Sequence, residues 1–385
     1  MGNDNSSARP FQAEPYIILD SNVDDMSESP VTNTKLFRRD MIYTAGFNAN
    51  WTMQLPSSIT PPPRTSHFMV YLQDLNTAIV GYGIDKNNDL LNDLWALDLN
   101  TKMWRQIDFN GKMITPRNGA LAVLYNRKIY VFGGFSGKAY LADLHTIDIN
   151  DFSVTHITST TSDSPSGRIG HVMAEHNGQI LIWGGYNGDW LSDLWIYDIS
   201  SNTWREIQSD IKGRTSACFT NHGNSLYIFG ASKIEPLLRY DWETERLTIV
   251  KTTGVSPPAE LAAASMVSVD RYVLIFGGKI ENNKYGLMYG FDTIRNWWFI
   301  FHVMPDGVST SLLDGSIDPQ GNFMVPSISG ASIIYRRIER KVMLFLGAPL
   351  LEPPNICFIE LGDALSILHL QNDMLETLNM NYYLY

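Results

Sequence analysis

A pattern that recurs about every fifty residues constrains this chain more than any other feature. Asn92–Asp98 and Ser192–Asp198 are near copies, and Ala142–Asp148 between them keeps the same Asp-Leu pair and final Asp. Upstream of each copy lies an apolar run closed by glycine. Before that run comes a turn arginine, and the separations are 53, 51 and 46 residues for Arg64, Arg117, Arg168 and Arg214. A unit of this length, with short β-rich runs between turn residues, predicts one blade of an all-β propeller.

The order of residues within each unit resembles the kelch repeat. It runs from Pro or Gly and Arg through an apolar strand, paired glycines and a loop to Asp-Leu-Trp-x-x-Asp and a final Trp. The resemblance covers roughly residues 60 to 363, with three close copies and three degraded ones. It implies a single kelch-type β-propeller. It implies less about function, because this fold hosts both binding proteins and enzymes.

The signature residues of the repeat have structural roles, and we expect none of them to be catalytic. Paired glycines let the chain turn where a Cβ would clash. Aspartate suits the tight turn into the fourth strand because it accepts hydrogen bonds from nearby amides. The tryptophan is large enough to fill the gap between blades, so its loss should cost about 3–5 kcal/mol. These residues are Gly133, Gly134, Gly184, Gly185, Asp98, Asp148, Asp198, Trp104 and Trp204.

Residues 40–55 indicate how the ring closes. Trp51 precedes Arg64 by thirteen residues, which is also the spacing between Trp104 and Arg117. The segment therefore has the phase of the outer half of a blade whose inner strands come from elsewhere. A terminal strand that joins the far end of the chain removes exposed sheet edges. We predict a propeller closed by N-terminal strands.

The C-terminal repeat is the expected source of the inner strands of that blade, near Gly330–Tyr335 and Val342–Gly347. This construction gives six blades. Seven blades stay open, because Ile356–Leu361 and Leu365–Leu370 also read as strands. Residues 363–380 alternatively have helical spacing.

The whole chain is expected to form one domain with a tail at each end. We expect a flexible tail over residues 1–35, the propeller over 36–370 with closing strands at 40–55, and a tail or helix over 371–385. Residues 304–326 form the longest irregular stretch and are predicted to be an insertion loop.

Charge and cysteine usage limit the partners and the compartment. The net charge of −11 repels phosphate backbones, so we expect no nucleic acid partner. Gly2 and Ser6 fit the loose N-myristoylation pattern, and we expect a membrane partner only if Gly2 is acylated. Cys218 and Cys357 lie in apolar runs, which favours buried thiols in a reducing compartment. We expect a cytoplasmic protein, with secretion open if the chain is a mature fragment.

The sequence holds no pattern typical of catalysis or metal binding. None of the eight histidines has HExxH or similar spacing. His67 and His171 occupy the same repeat position and are expected to be packed in the core and hydrogen-bonded. The Glu-x3-Asp-x3-His iron motif of the plant kelch specifier proteins is absent, as are nucleophile elbows and phosphate-binding loops. We expect no enzyme activity, no cofactor and no metal.

The loops after the paired glycines carry aromatic residues that a core does not need. They are Phe135 and Tyr140 in the second repeat, and Tyr186 and Trp190 in the third. Exposed Tyr and Trp anchor partners at hot spots. We predict a scaffold that binds a protein or peptide through these four side chains. Two alternatives stay open: the rings fold over the edge of their own blade, or the central channel is an oxidase-like or carbohydrate-binding pocket.

Overall fold

The structure, a computed structural model, describes residues 47–56, 59–281, 283–317, 323–326, 328–362 and Leu365. Its strands form six blades around a central channel, which confirms the six-bladed β-propeller. In the described ranges no helix is long and apolar enough to cross a membrane.

Blades 1 to 4 are separate antiparallel sheets of four strands each. From the channel outward, blade 1 consists of Phe68–Leu72, Thr77–Gly81, Leu94–Asp98 and Trp104–Ile107. Blade 2 consists of Leu121–Tyr125, Lys128–Phe132, Leu144–Asp148 and Val154–Ile157. Blade 3 consists of Val172–His176, Gln179–Trp183, Leu194–Asp198 and Thr203–Ile207, and blade 4 of Cys218–His222, Ser225–Phe229, Leu237–Asp241 and Arg246–Ile249.

Blades 5 and 6 are joined into one sheet. Blade 5 consists of Ser265–Val269, Tyr272–Phe276, Met288–Asp292 and Trp297–Pro305. Blade 6 consists of Ser332–Arg336, Lys341–Phe345, Ile356–Glu360 and the N-terminal strand Phe47–Gln54. Short two-residue strands lie in the connections, at Arg64–Thr65, Ile84–Asp85, Thr253–Gly254, Lys279–Ile280, Asn283–Lys284, Ser316–Ile317 and Phe323–Met324.

The position of a strand within its blade explains its sequence. A second strand has neighbours on both edges and blades on both faces, so Ile129–Phe132 is an unbroken apolar run and is fully buried. The outer strand Trp104–Ile107 is buried only at its two ends, and its middle residues are polar and exposed. Inner strands therefore have continuous apolar sequences, whereas outer strands contain both apolar and polar residues.

Each blade is tied to the next by the same backbone hydrogen bond. The amide of the second residue after the second strand of one blade donates to the carbonyl at the arginine position of the following blade, at 2.8 to 3.1 Å. The six bonds are Gly83 to Arg117, Gly134 to Arg168, Gly185 to Arg214, Ala231 to Leu261, Gly278 to Ile328 and Gly347 to Arg64. Because the last bond returns to blade 1, these bonds form a closed ring.

The closing strand Phe47–Gln54 is paired along both edges. Asn50 to Gln54 pair antiparallel with Ile356–Glu360, and Phe47 to Trp51 pair parallel with the end of Trp297–Pro305. The expectation that residues 40–55 supply both outer strands of blade 6 is wrong for its third strand, which is Ile356–Glu360. The chain folds this way because Ile356–Glu360 continues directly from Lys341–Phe345 as an antiparallel neighbour.

Six clusters of buried apolar side chains lie at the six blade interfaces in the described part of the chain. Trp104 of blade 1 packs edge-on against Phe345 of blade 6, with ring centroids 5.8 Å apart. Trp204 of blade 3 lies 5.8 Å from Phe132 of blade 2. The tryptophan after the third strand therefore fills the gap to the preceding blade.

Between blades 5 and 6, the stretch predicted as an insertion loop begins as strand. The outer strand of blade 5 continues to Pro305, and a 3-10 helix follows at Leu312–Asp314. Between this strand and the 3-10 helix, the Asp306 carboxylate accepts hydrogen bonds from the amides of Val308 and Ser309, each at 2.9 Å. These bonds hold the turn that follows the strand. The predicted tails over 1–35 and 371–385, and residues 40–46, lie outside the described residues.

Candidate partner-binding site

The paired glycines set the start of each loop on the face where the second strands end. Gly133 and Gly134 have φ of 76° and 100°, and Gly184 and Gly185 have φ of 65° and 100°. A Cβ added at Gly184 would lie 2.8 Å from the carbonyl oxygen of Arg214. These positions therefore need glycine both for the left-handed backbone and for the close approach of the next blade.

A buried arginine holds the two ends of each loop in blades 1 to 3. Arg117 is fully buried and binds both carboxylate oxygens of Asp143, at 2.6 and 2.8 Å, and the carbonyl of Gly133 at 3.0 Å. Arg168 makes the same bonds to Asp193 and to the carbonyl of Gly184. We call this arrangement the arginine clamp.

The arginine clamp fixes the charge state of its aspartate. Burial alone would raise the pKa of Asp193, but the hydrogen bonds and positive charge of Arg168 outweigh burial, and the pKa lies below its usual value. Asp93, paired with Arg64 in blade 1, behaves in the same way. Sequence reasoning assigned the arginines to turns and missed these partners, although an Asp recurs 25 to 29 residues after each of them.

Four aromatic rings from blades 2 and 3 form a continuous line, which we call the aromatic row. The centroids of Phe135 and Tyr140 are 5.0 Å apart, those of Tyr140 and Tyr186 are 6.0 Å apart, and those of Tyr186 and Trp190 are 5.5 Å apart. The structure thus brings all four predicted side chains together, across a blade boundary. Trp190 is 69 % exposed, and the other three rings are half-buried.

The inner member of each pair is anchored to the rim of the central channel. Phe135 exchanges two backbone hydrogen bonds with Asn118, at 2.8 and 3.1 Å, and Tyr186 exchanges two with Ile169. Because Asn118 and Ile169 line the channel mouth, Phe135 and Tyr186 lie beside the channel rim, and Tyr140 and Trp190 lie farther out in their blades. The corresponding pair in blade 1 is Ile84 and Leu90, which is apolar but not aromatic.

The predicted turn aspartates cap the turns between third and fourth strands. Asp98 Oδ1 accepts hydrogen bonds from the amides of Asn100 and Thr101 at 2.8 and 2.9 Å. Asp148 and Asp198 accept from the amides of Asn150 and Ser201, each at 2.9 Å. They lie at the opposite ends of the strands from the aromatic row.

The central channel contains a cavity of about 730 Å³ lined by all six blades. His67 and His171 border it, and burial, followed by the nearby charges of Arg64 and Arg168, lowers the pKa of each to about 3. His67 Nε2 lies 2.8 Å from Ser332 Oγ, whereas neither ring nitrogen of His171 has a hydrogen-bond partner among the described residues. The expectation of a hydrogen-bonded histidine is therefore wrong for His171. The reason is that Leu121 stands where blade 6 has Ser332.

The comparison with protein families decides the identity of the fold. A family model described as the KLHDC2/KLHL20/DRC7 kelch-repeats domain matches residues 31–231, which is more than half of the chain. The chain belongs to the kelch-repeat family. The turn arginine and the glycines of the close repeats form the arginine clamp and the turns that begin each loop.

Several kelch proteins are similar to this chain. It is 25 % identical over 272 residues to the leucine-zipper-like transcriptional regulator 1 homolog of Drosophila melanogaster, covering 65 % of this chain and 28 % of that protein. It is 26 % identical over 228 residues to human Kelch domain-containing protein 10, covering 54 % of this chain and 51 % of that protein. The chain thus spans between about a quarter and about half of the length of these two relatives.

A third relative carries the name of an enzyme. The N-(sulfonatooxy)prop-2-enimidothioate sulfolyase of Thlaspi arvense is 25 % identical over 252 residues, covering 58 % of this chain and 72 % of that protein. In the described ranges of our chain, no group of three or more His, Cys, Asp or Glu side chains is arranged to hold a metal ion.

Proposed function

We propose that this chain is a non-catalytic scaffold that binds a protein or peptide on the aromatic row. Kelch-repeat propellers generally serve as protein-interaction domains. The observation that carries the proposal is the row itself, in which four rings from two blades lie 5.0 to 6.0 Å apart on a loop face. Aromatic side chains dominate binding hot spots because they bury a large area with few rotatable bonds.

The support beneath the row favours binding as well. Each loop that carries two of the rings is held at both ends by an arginine clamp. A surface that is ordered before binding loses less conformational entropy when a partner docks, so more of the contact energy becomes affinity. Trp190 at the outer end is exposed and is the expected anchor.

Among the described residues that line the central cavity, none is an Asp or Glu. The carboxylate of Glu175 lies in the adjoining pocket on the inner strands of blades 1 to 4. We also propose a reducing, cytoplasmic location, which is supported by the free, buried thiols of Cys218 and Cys357. A nucleic acid partner stays unsupported because the net charge is −11, and a membrane partner would require acylation of Gly2.

Recovery of partners from a cell extract tests the proposal. The full chain is immobilised beside a Tyr186→Ala/Trp190→Ala variant and a matched Ile294→Ala/Ile338→Ala variant. Ile294 and Ile338 are 66 % and 100 % exposed and lie in turns away from the row. We expect the aromatic variant to lose the partners that the wild type and the control recover. Equal recovery by all three proteins would remove the row as a binding site.

A small-molecule site in the central channel is the second candidate. Its support is the cavity of about 730 Å³ together with a buried, unpaired His171, since ligand pockets are typically about 300–1,000 Å³. A panel of monosaccharides added to the protein with ¹⁵N-labelled histidine tests this reading. A saturable shift of the His171 ring signals would favour it, and unchanged signals would oppose it.

A further inference from the structure

Two histidines face each other across the outer strands of blade 2. His145 lies in Leu144–Asp148 and His156 in Val154–Ile157, and the register of the two strands pairs them directly. Their ring centroids are 4.9 Å apart, with an interplanar angle of 63°. Blades 1 and 3 have Trp95 opposite Gln106 and Trp195 opposite Glu206 at these places. Blade 2 therefore departs from the repeat at both members of the pair.

The contacts of His145 determine which of its two ring nitrogens carries a hydrogen. Its Nε2 lies 2.8 Å from Oδ2 of Asp143, the aspartate held by Arg117 in the arginine clamp. Arg117 donates to both oxygens of Asp143, so this carboxylate is the acceptor in its contact with His145 and Nε2 is the donor. A histidine that donates from Nε2 to a carboxylate has Nδ1 as its ligating nitrogen. Nδ1 has no hydrogen-bond partner among the described residues.

This arrangement matches what imidazole ligands of a metal ion need. A ligating histidine almost always donates its other ring N–H to a carboxylate or carbonyl, which orients the ring and raises its basicity. With metal–nitrogen distances of about 2.0–2.1 Å and bond angles of about 90–110°, two bound imidazoles have centroids about 4.5–5.3 Å apart. The separation of 4.9 Å between His145 and His156 lies within that range.

We propose that His145 and His156 bind one divalent transition-metal ion, with Asp143 as the carboxylate behind His145. Imidazole nitrogen suits Cu²⁺, Ni²⁺ and Zn²⁺, and Cu²⁺ binds most tightly in this series. Two protein ligands leave the other coordination positions to water. His156 is exposed whereas Nδ1 of His145 is buried, so the ion would enter from the His156 side and His145 would be the inner ligand.

The ion would bridge the third and fourth strands of blade 2. The fourth strand of this blade starts with Val154, where blades 1 and 3 have Trp104 and Trp204. Blade 4 also lacks this tryptophan and has Leu247 there, whereas blade 2 has the proposed metal-binding pair on the same two strands. An ion that binds only the folded chain raises its stability in proportion to the logarithm of metal concentration over Kd.

Copper titration of the full chain without an affinity tag tests the proposal, using CuCl₂ in a non-coordinating buffer. Calorimetry should give one Cu²⁺ per chain, and electron paramagnetic resonance should show hyperfine coupling to two imidazole nitrogens. His145→Trp and His156→Gln install the residues that blade 1 carries at these places, so both variants should keep the fold. Each should weaken binding at least about tenfold, the scale on which even changes around a metal site act.

His176→Gln is the matched control, because His176 stacks on Trp242 in a different blade interface. Its copper affinity should equal that of the wild type. If His145→Trp fails to fold, His156→Gln alone decides the outcome. Wild-type affinity in His156→Gln, or no stoichiometric copper on the wild type, would overturn the proposal.

Discussion

Blades 1 to 3 and blades 4 to 6 share one topology but secure their loops in different ways. In the first half, a fully buried arginine in each blade binds both oxygens of an aspartate, as Arg168 binds Asp193. In blade 4, Arg214 binds the carbonyls of Gly230 and Pro236 instead, at 3.1 and 2.6 Å. In blades 5 and 6, Leu261 and Ile328 take the arginine position, and only their carbonyls keep the shared contact.

The second half of the ring is held together by a different contact, the pairing of the N-terminal strand. Its last blade receives the closing strand, which pairs with five residues of Ile356–Glu360 and with the end of the outer strand of blade 5. The feature common to all six blades is the backbone hydrogen bond from one blade to the next. The backbone contact is thus common to the whole ring, whereas the arginine clamp holds the loops of blades 1 to 3, two of which carry the aromatic row.

The largest expected effect comes from breaking the closing strand. Asn50 is exposed but its backbone is paired on both edges, with Glu360 and with Met304. Asn50→Pro removes a ladder hydrogen bond whichever way the amide points, and should cost about 3 kcal/mol or more. Asn50→Ala keeps the backbone and should change the free energy of unfolding by less than about 0.5 kcal/mol. Urea denaturation measures both, and equal stability of the two variants would contradict the double pairing.

Burial also lowers the pKa of His222 in blade 4, but acid should act most strongly through two histidines of the first half, His67 in blade 1 and His171 in blade 3. Each has a folded pKa of about 3, while the unfolded chain binds the proton near pH 6.5. Stability should therefore fall as pH drops from about 6.5 toward 3, by on the order of 3 kcal/mol per histidine at pH 4.

His171→Leu removes one of these titrations. Urea denaturation from pH 7 to pH 4 should give a shallower fall in stability for this variant than for the wild type. A variant that loses stability as steeply as the wild type would mean that His171 is protonated in the folded chain.

The arginine clamp should have an effect of about 2–3 kcal/mol. Arg168→Leu copies the residue of blade 5 and leaves the half-buried Asp193 with the indole of Trp195 but without its positively charged partner. Replacing Asp193 by Asn as well should recover part of the loss. Arg205→Ala, which breaks an exposed pair with Glu245, should cost less than about 1 kcal/mol. Thermal unfolding separates these cases, and a clamp variant no worse than Arg205→Ala would refute a structural role for the clamp.

The smallest expected effect on stability comes from the hydroxyl partner that His67 has and His171 lacks. Leu121 begins the strand whose counterpart begins with Ser332, the partner of His67. Leu121→Ser should be more stable than Leu121→Ala by about 1 kcal/mol, because the hydroxyl supplies a partner for His171. In a His171→Leu background that difference should vanish. A difference that persists there would show that the hydroxyl binds elsewhere.

The fold and the four aromatic positions can be predicted from the sequence, because both follow from the spacing of the repeat. This spacing does not show which strands from distant parts of the chain pair, so the prediction for the third strand of blade 6 is wrong. The register that joins His145 to His156 depends on the length of a turn and could not be read from the sequence either. The clamp aspartates did leave a signal, since Asp93, Asp143 and Asp193 recur before each Leu-Trp or Leu-His pair.

Photo-crosslinking from position 190 tests the binding role of the aromatic row most directly. Trp190 is replaced by a benzophenone amino acid, and the protein is irradiated in an extract of the cells that express it. A second protein carries the same residue in place of Ile338, which is fully exposed on a distant turn. We expect a discrete adduct from position 190 that is absent from position 338 and disappears with Tyr186→Ala. No adduct, or the same adducts from both positions, would contradict partner binding on the aromatic row.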